Sequence, residues 1–272
     1  MKKIGFVDYY ISEWHAENYP EWIINASEKM GEDFKVTHAY AERDISPRNG
    51  ESTAAWCERK GIEMCESIDE LCEKCDYIVV LAPSDPDTHP RLAEAVLKHG
   101  KPTYIDKTFA SNLSDAEFIF SVAEKYGTPF FSTSALRYAT ELADKSGYTR
   151  IITTGGGGSA EEYIIHQIEM AVKMLGVGAT DLRATRKGDE IIFDVTYPDD
   201  RCATFIYGSA YSFTAYLSGG KRSPVYLKME SDFFAGLISD ILGFFLTKKP
   251  PFDPSETLEA MKLREKAVRA IS

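Results

Sequence analysis

Lys107 follows the apolar segment Thr103 to Ile105, which reads as a short strand, so its amine stands where a strand end opens into a cleft. An amine in that place can hold a hydroxyl and steer its proton. The plain alternative is a surface lysine in a turn. His166 lies between Glu162 and Glu169 at i−4 and i+3, which puts all three on one helical face. A carboxylate one turn away orients an imidazole and favours its charged form. Glu162 has a competing use, because Ser159-Ala160-Glu161-Glu162 is also a capping box. Gly155 to Gly158 open the same helix, either as an anion site of backbone N–H groups or as a flexible loop. Tyr9, Tyr10 and Trp14 can stack on a sugar or ring at the mouth of a sheet, or simply fill it. Cys57, Cys65, Cys72 and Cys75 crowd one region. No second C-x-x-C or paired histidine follows Cys72 and Cys75 at ligand spacing, so they are read as reduced structural thiols without a metal.

These side chains need a frame, and the hydrophobic periodicity supplies one. Residues 3–7, 34–40, 77–82, 103–105 and 129–132 read as strands; the intervening stretches 22–30, 69–75, 90–99 and 116–126 read as helices. That rhythm predicts an open, mostly parallel α/β sheet. Ligands of such sheets bind beyond the carboxyl ends of the strands. The positions singled out are therefore Asp8 to Glu13 (Tyr10 and Ile11 included), Glu42, Ala82 to His89 (Pro83 and Ser84 included), Asp106 to Thr108, and Thr133 to Arg137. After the helical stretch 163–175, closely spaced strand-like segments at 181–187, 190–197, 201–208, 211–218 and 224–229 predict an antiparallel sheet with one covered face. Two helices, about 231–247 and 254–271, finish the chain. The expected domains are 1–137, Rossmann-like, and 138–272, an α+β domain with an open, largely antiparallel sheet.

The chain has 272 residues, 44% of them hydrophobic, with 31 Lys+Arg against 42 Asp+Glu for a net charge of −11. The apolar fraction is that of a globular chain, and the acid excess argues against nucleic acid or an anionic membrane as partner. It does not exclude a phosphate held by local backbone groups. Met1-Lys2-Lys3 leads into a short strand without a signal-peptide core, so the expected location is cytoplasmic.

Gly100-Lys101-Pro102-Thr103-Tyr104-Ile105-Asp106-Lys107-Thr108 resembles the Gly-Lys-x-x-x-x-Glu-Lys-Pro motif of the Gfo/Idh/MocA oxidoreductases. Leu81-Ala82-Pro83 with His89, Leu136-Arg137-Tyr138, and Glu162-x-x-x-His166-x-x-Glu169 after the glycines are similar to further family segments in the same order. The resemblance implies a Rossmann domain and a second open-sheet domain. It also implies NAD or NADP as cofactor, a small-molecule substrate and a homo-oligomer. It carries Lys107, His166 and Glu162 over as catalytic, with Lys107, Arg137 and Glu169 toward the substrate. Asp8, Tyr10, Ile11, Glu42, Pro83, Ser84, His89 and Asp106 fall at the cofactor, and Lys107 and His166 are expected to face one ligand. The implied reaction is hydride transfer at a CH–OH group of a sugar, cyclitol or small hydroxy acid.

One segment departs from the family pattern. Its first turn is Gly-x-Gly-x-x-Gly/Ala, and here Asp8, Tyr10 and Glu13 stand at the glycine positions. A carboxylate about 4 Å from a phosphate costs on the order of 4 kcal/mol at an effective dielectric near 20. Nicotinamide cofactors are therefore expected to bind more weakly than to a glycine turn. Two other readings of the residues follow from this: a ligand-binding or scaffold protein that kept the fold and lost the cofactor, and a lyase or isomerase without redox turnover.

Overall fold

Residues 1–272 are described by a computed structural model. In the first unit the uninterrupted apolar runs of the central strands are buried on both faces, as a parallel sheet between helices requires. The strands are β1 (Lys2–Asp8), β2 (Phe34–Ala41), β3 (Glu63–Met64), β4 (Tyr77–Val80), β5 (Thr103–Ile105) and β6 (Phe130–Phe131). They lie in the order β3-β2-β1-β4-β5-β6, every pair parallel. This is the strand order of dinucleotide-binding folds, and its switch point falls between β1 and β4. The crossovers are α1 (Trp14–Lys29), α2 (Thr53–Lys60), α3 (Ile68–Lys74), α4 (His89–Leu97) and α5 (Leu113–Tyr126). Ser52, Ser67 and Asn112 cap α2, α3 and α5 with their side-chain oxygens.

The second unit is built on β7 (Arg150–Gly155), α6 (Ala160–Leu175), β8 (Asp181–Lys187), β9 (Glu190–Thr196), β10 (Cys202–Tyr207), β11 (Thr214–Ser218) and β12 (Val225–Lys228). Its sheet runs β12-β11-β7-β10-β9-β8. All pairs are antiparallel except β7 with β10. Ile151, Phe193, Phe205, Ala215 and Leu217 fill the covered face, and Ile152, Tyr216 and Tyr226 stand on the outward one. The chain ends in α7 (Phe233–Thr247) and α8 (Pro254–Ile271), with Asp253 capping α8.

The chain divides into Met1–Ser132 with Ile238–Pro251, and Thr133–Leu237 with Phe252–Ser272. The carboxyl-terminal part of α7 thus belongs with the parallel-sheet unit, where the Phe245 ring stacks on Tyr77 at 4.8 Å and Phe244 meets Phe131 edge-on at 4.9 Å. No helix is long and apolar enough to cross a membrane.

Candidate functional site

The carboxyl edge of the parallel sheet gathers four ionisable groups in the first unit. Asp8 closes β1 and is 1% exposed. Its Oδ1 accepts the backbone N–H groups of Tyr9 (2.7 Å) and Ala82 (3.0 Å), whereas Oδ2 has no hydrogen-bond partner. Burial, and then the charge of Glu13, push its pKa well above the usual aspartate range.

Glu13 is the N-cap of α1, in extended backbone and 6% exposed. Its carboxylate accepts the N–H groups of His15 (2.8 Å) and Ala16 (2.5 Å), two of the orphan donors of the helix start. Burial raises its pKa, and the charge of His15 with the two amide bonds offsets only part of that rise.

Asp106 follows β5. Its Oδ1 accepts Tyr104 Oη (3.2 Å) and Lys107 N (2.8 Å), and its Oδ2 takes a hydrogen bond from His15 Nδ1 as well as Tyr19 Oη (3.5 Å). Burial alone would raise this carboxyl. The charge and hydrogen bond of His15, then Lys107, outweigh it and hold the pKa below the usual range. Lys107 itself is partly exposed, with its Nζ 3.4 Å from the Pro83 carbonyl oxygen.

The remaining positions expected at a cofactor are engaged by the chain's own groups. Tyr10 and Ile11 are buried, and Arg48 donates to both Tyr10 Oη and Ser84 Oγ at 2.9 Å. Glu42 pairs with both Nε and Nη2 of Arg91. His89 is 0% exposed, with its Nδ1 at 3.0 Å from Phe109 O and its Nε2 at 2.5 Å from Leu81 O. It stitches the end of β4 to the loop after β5.

A dinucleotide in the usual Rossmann pose lays its pyrophosphate on the amides that open the first helix. Here Glu13 already fills those amides, and Tyr10 and Ile11 fill the turn, so the residues present do not fit that group. Asp8 adds bulk to this turn, and its burial favours the neutral acid over the carboxylate.

In the second unit, Ser134 Oγ lies 2.6 Å from His166 Nδ1, and Tyr163 and Phe213 meet the imidazole edge-on. Glu162 N donates to Ser159 Oγ, one half of the capping box. Glu169 Oε2 accepts Thr133 Oγ1 (3.0 Å) and Arg137 Nη1 (3.2 Å). Arg137 also pairs with Glu256, and its guanidinium lies 3.8 Å from the Phe252 ring centroid. This buried network ties α6 to α8. The glycines before α6 are required by packing: a Cβ would stand 2.4 Å from Phe213 at Gly155, 2.3 Å from the Gly208 oxygen at Gly156, and 2.2 Å from Tyr163 at Gly157.

Burial pushes the Cys72 and Cys75 thiols up to about 12, so neither is a ready thiolate.

The sequence reasoning did not single out His15. The available signal was an imidazole in the first turn of the helix that follows the first strand, but its partner Asp106 lies 91 positions away.

A six-stranded parallel sheet in this order, joined in one chain to a mostly antiparallel second sheet, is a Rossmann-like domain followed by an α+β domain. Residues 25–134 match the Gfo/Idh/MocA family model, described as an oxidoreductase family with an NAD-binding Rossmann fold. The resemblance drawn from the motifs is thereby borne out over residues 25–134.

Solved structures share the fold along the whole chain. Biliverdin reductase from Synechocystis sp., in complex with biliverdin and NADP+, superposes with a TM-score of 0.70 at 14% identity, covering 98% of each chain. UDP-N-acetylglucosamine 3-dehydrogenase from Acidithiobacillus ferrooxidans gives 0.76 at 13% identity, covering 98% of this chain and 97% of that one. GenD2 from gentamicin A biosynthesis, in complex with NAD, gives 0.76 at 14%, covering 99% and 94%. No curated protein matches by sequence.

Proposed function

We propose that this chain uses the oxidoreductase frame to handle a small hydroxylated molecule, a sugar, cyclitol or hydroxy acid, without a dinucleotide seated in the first βα turn. The observation that supports this reading is the Glu13 carboxylate on the amides of His15 and Ala16. A site of this kind suits proton transfer at a hydroxylated carbon, the chemistry of a lyase or isomerase. In the first unit Lys107 is assigned to the ligand hydroxyl, since it follows β5 at the carboxyl edge and its amine makes one long bond to a carbonyl oxygen. In the second unit the Nδ1 side of His166 is held by Ser134. Arg137 and Glu169 hold the frame in this reading, not the substrate.

A second reading is NAD(P)-dependent oxidation of a CH–OH group. The family match and the Asp106-Lys107 motif favour it. It requires a cofactor pose that leaves the start of α1 to Glu13.

The two readings separate in a calorimetric screen of sugars, cyclitols and hydroxy acids, run with and without NAD(H). Binding that is indifferent to the dinucleotide supports the proposal. Binding that appears only in its presence installs the second reading.

A further inference from the structure

The residues that replace the glycine turn do more than close it: they bring an imidazole and an ionised carboxylate together at the carboxyl edge of β1 and β5. His15 is the second residue of α1, and Asp106 is the first after β5. Four donors converge on Asp106, from Tyr104, Lys107, Tyr19 and His15. An ionised acceptor on Nδ1 fixes the imidazole in its Nδ1–H tautomer and makes Nε2 the basic nitrogen. The ring is clamped by Tyr19, stacked at 5.1 Å and 12°, and by Trp14, edge-on at 5.2 Å.

His89 offers an internal contrast. It is also buried, but its two ring nitrogens lie against backbone carbonyl oxygens, which is the pattern of a structural stitch. His15 instead faces a carboxylate, keeps 8% of its side chain exposed, and adjoins Trp14, which is half exposed.

We infer that His15 is the proton-transfer group of this site and that Asp106 is its positioning residue, acting on an O–H, or on a C–H beside a carbonyl, of the hydroxylated ligand. The inference rests on the reading that no pyrophosphate occupies the turn. The step is self-contained. The proton passes from the ligand to Nε2, its electron pair stays on the ligand as alkoxide or enediolate, and the imidazolium returns the proton, so no electron acceptor is consumed.

Diethyl pyrocarbonate, which acylates a neutral imidazole nitrogen, tests this on the intact protein at pH 8 with peptide mapping of all five histidines. His15 is expected to react at least about tenfold faster than His89, and Asp106→Asn to slow it by roughly tenfold or more, because an amide does not enforce the tautomer. His99, whose side chain is 23% exposed and lies far from Asp106 in the chain, is the control and should not change. If His15 is as inert as His89, or reacts faster once Asp106 is replaced, as a loosened structural bridge would, the inference is overturned. The wild-type ratio of His15 to His89 decides the matter even if the Asp106 variant does not fold. Adding NADH separates the two claims. Tight protection of His15 by NADH would defeat the reading of the turn, while an inert His15 with no NADH effect would defeat the dyad alone.

Discussion

The Glu13 carboxylate lies 2.5 Å from the backbone nitrogen of Ala16, so the helix that follows the first strand carries its own anion. In a dinucleotide-binding turn, glycines keep that place open for a phosphate. Here a side chain from the turn itself satisfies the helix start, and the surrounding residues have filled in behind it.

Glu13→Ala removes the cap of α1 and should lower stability by about 1 kcal/mol, up to about 2. The check is the midpoint of thermal or denaturant unfolding. An unchanged midpoint would mean that the two amides are equally well served by water and that the cap holds nothing.

Asp8 gives a pH signature. Its carboxyl is raised in the folded state, so between the ordinary aspartate pKa of about 4 and the raised value the folded chain holds a proton that the unfolded chain has lost. Stability from this group is therefore full below about pH 4 and declines as pH rises through the window. Asp8→Asn mimics the neutral acid and should flatten the decline in melting temperature between pH 5 and 8. Glu13 shifts in the same direction, so some slope should persist. Equal slopes in wild type and variant would contradict the assignment.

Arg137→Ala leaves Glu169 and Glu256 without their cation in a buried setting, and should cost about 3–5 kcal/mol. A variant with a normal melting temperature would return Arg137 to the ligand-contact role that the motif resemblance implied for it.

Lys107→Met keeps the stem and deletes the amine. It should leave stability within about 0.5 kcal/mol, since only a 3.4 Å bond to Pro83 O is lost. With a substrate in hand it should lower turnover by about a hundredfold. Full turnover would move the proton chemistry elsewhere.

The sequence carried the architecture because βα rhythm and apolar runs are local signals. Five strands of the parallel sheet and the helices between most of them could be read directly, whereas the two-residue edge strand β3 (Glu63–Met64) could not. β7 was missed: Arg150-Ile-Ile-Thr-Thr-Gly offers a short run beside four glycines, and only pairing with the distant β10 and β11 shows it to be a central strand. α2 was hidden because its charged residues merge with the acidic stretch that follows. The division of α7 was equally illegible, since an apolar helix does not state which unit will bury Phe244 and Phe245. At the site, the unsuitability of Asp8, Tyr10 and Glu13 for a phosphate was visible from residue type. That the Asp8 carboxyl is raised, that Glu42 is spent on Arg91, and that Asp106 holds His15 all depend on burial or on partners far away in the chain.

Titration of the unmodified protein with NADH and NADPH by calorimetry tests the closed turn most directly. Dissociation constants well above the micromolar range are expected for both, with tighter binding once Asp8, Tyr10 and Glu13 are all replaced by glycine in a variant that still folds. Submicromolar binding by the unmodified protein would contradict the account, because the amides that a pyrophosphate needs would then have to be released by Glu13.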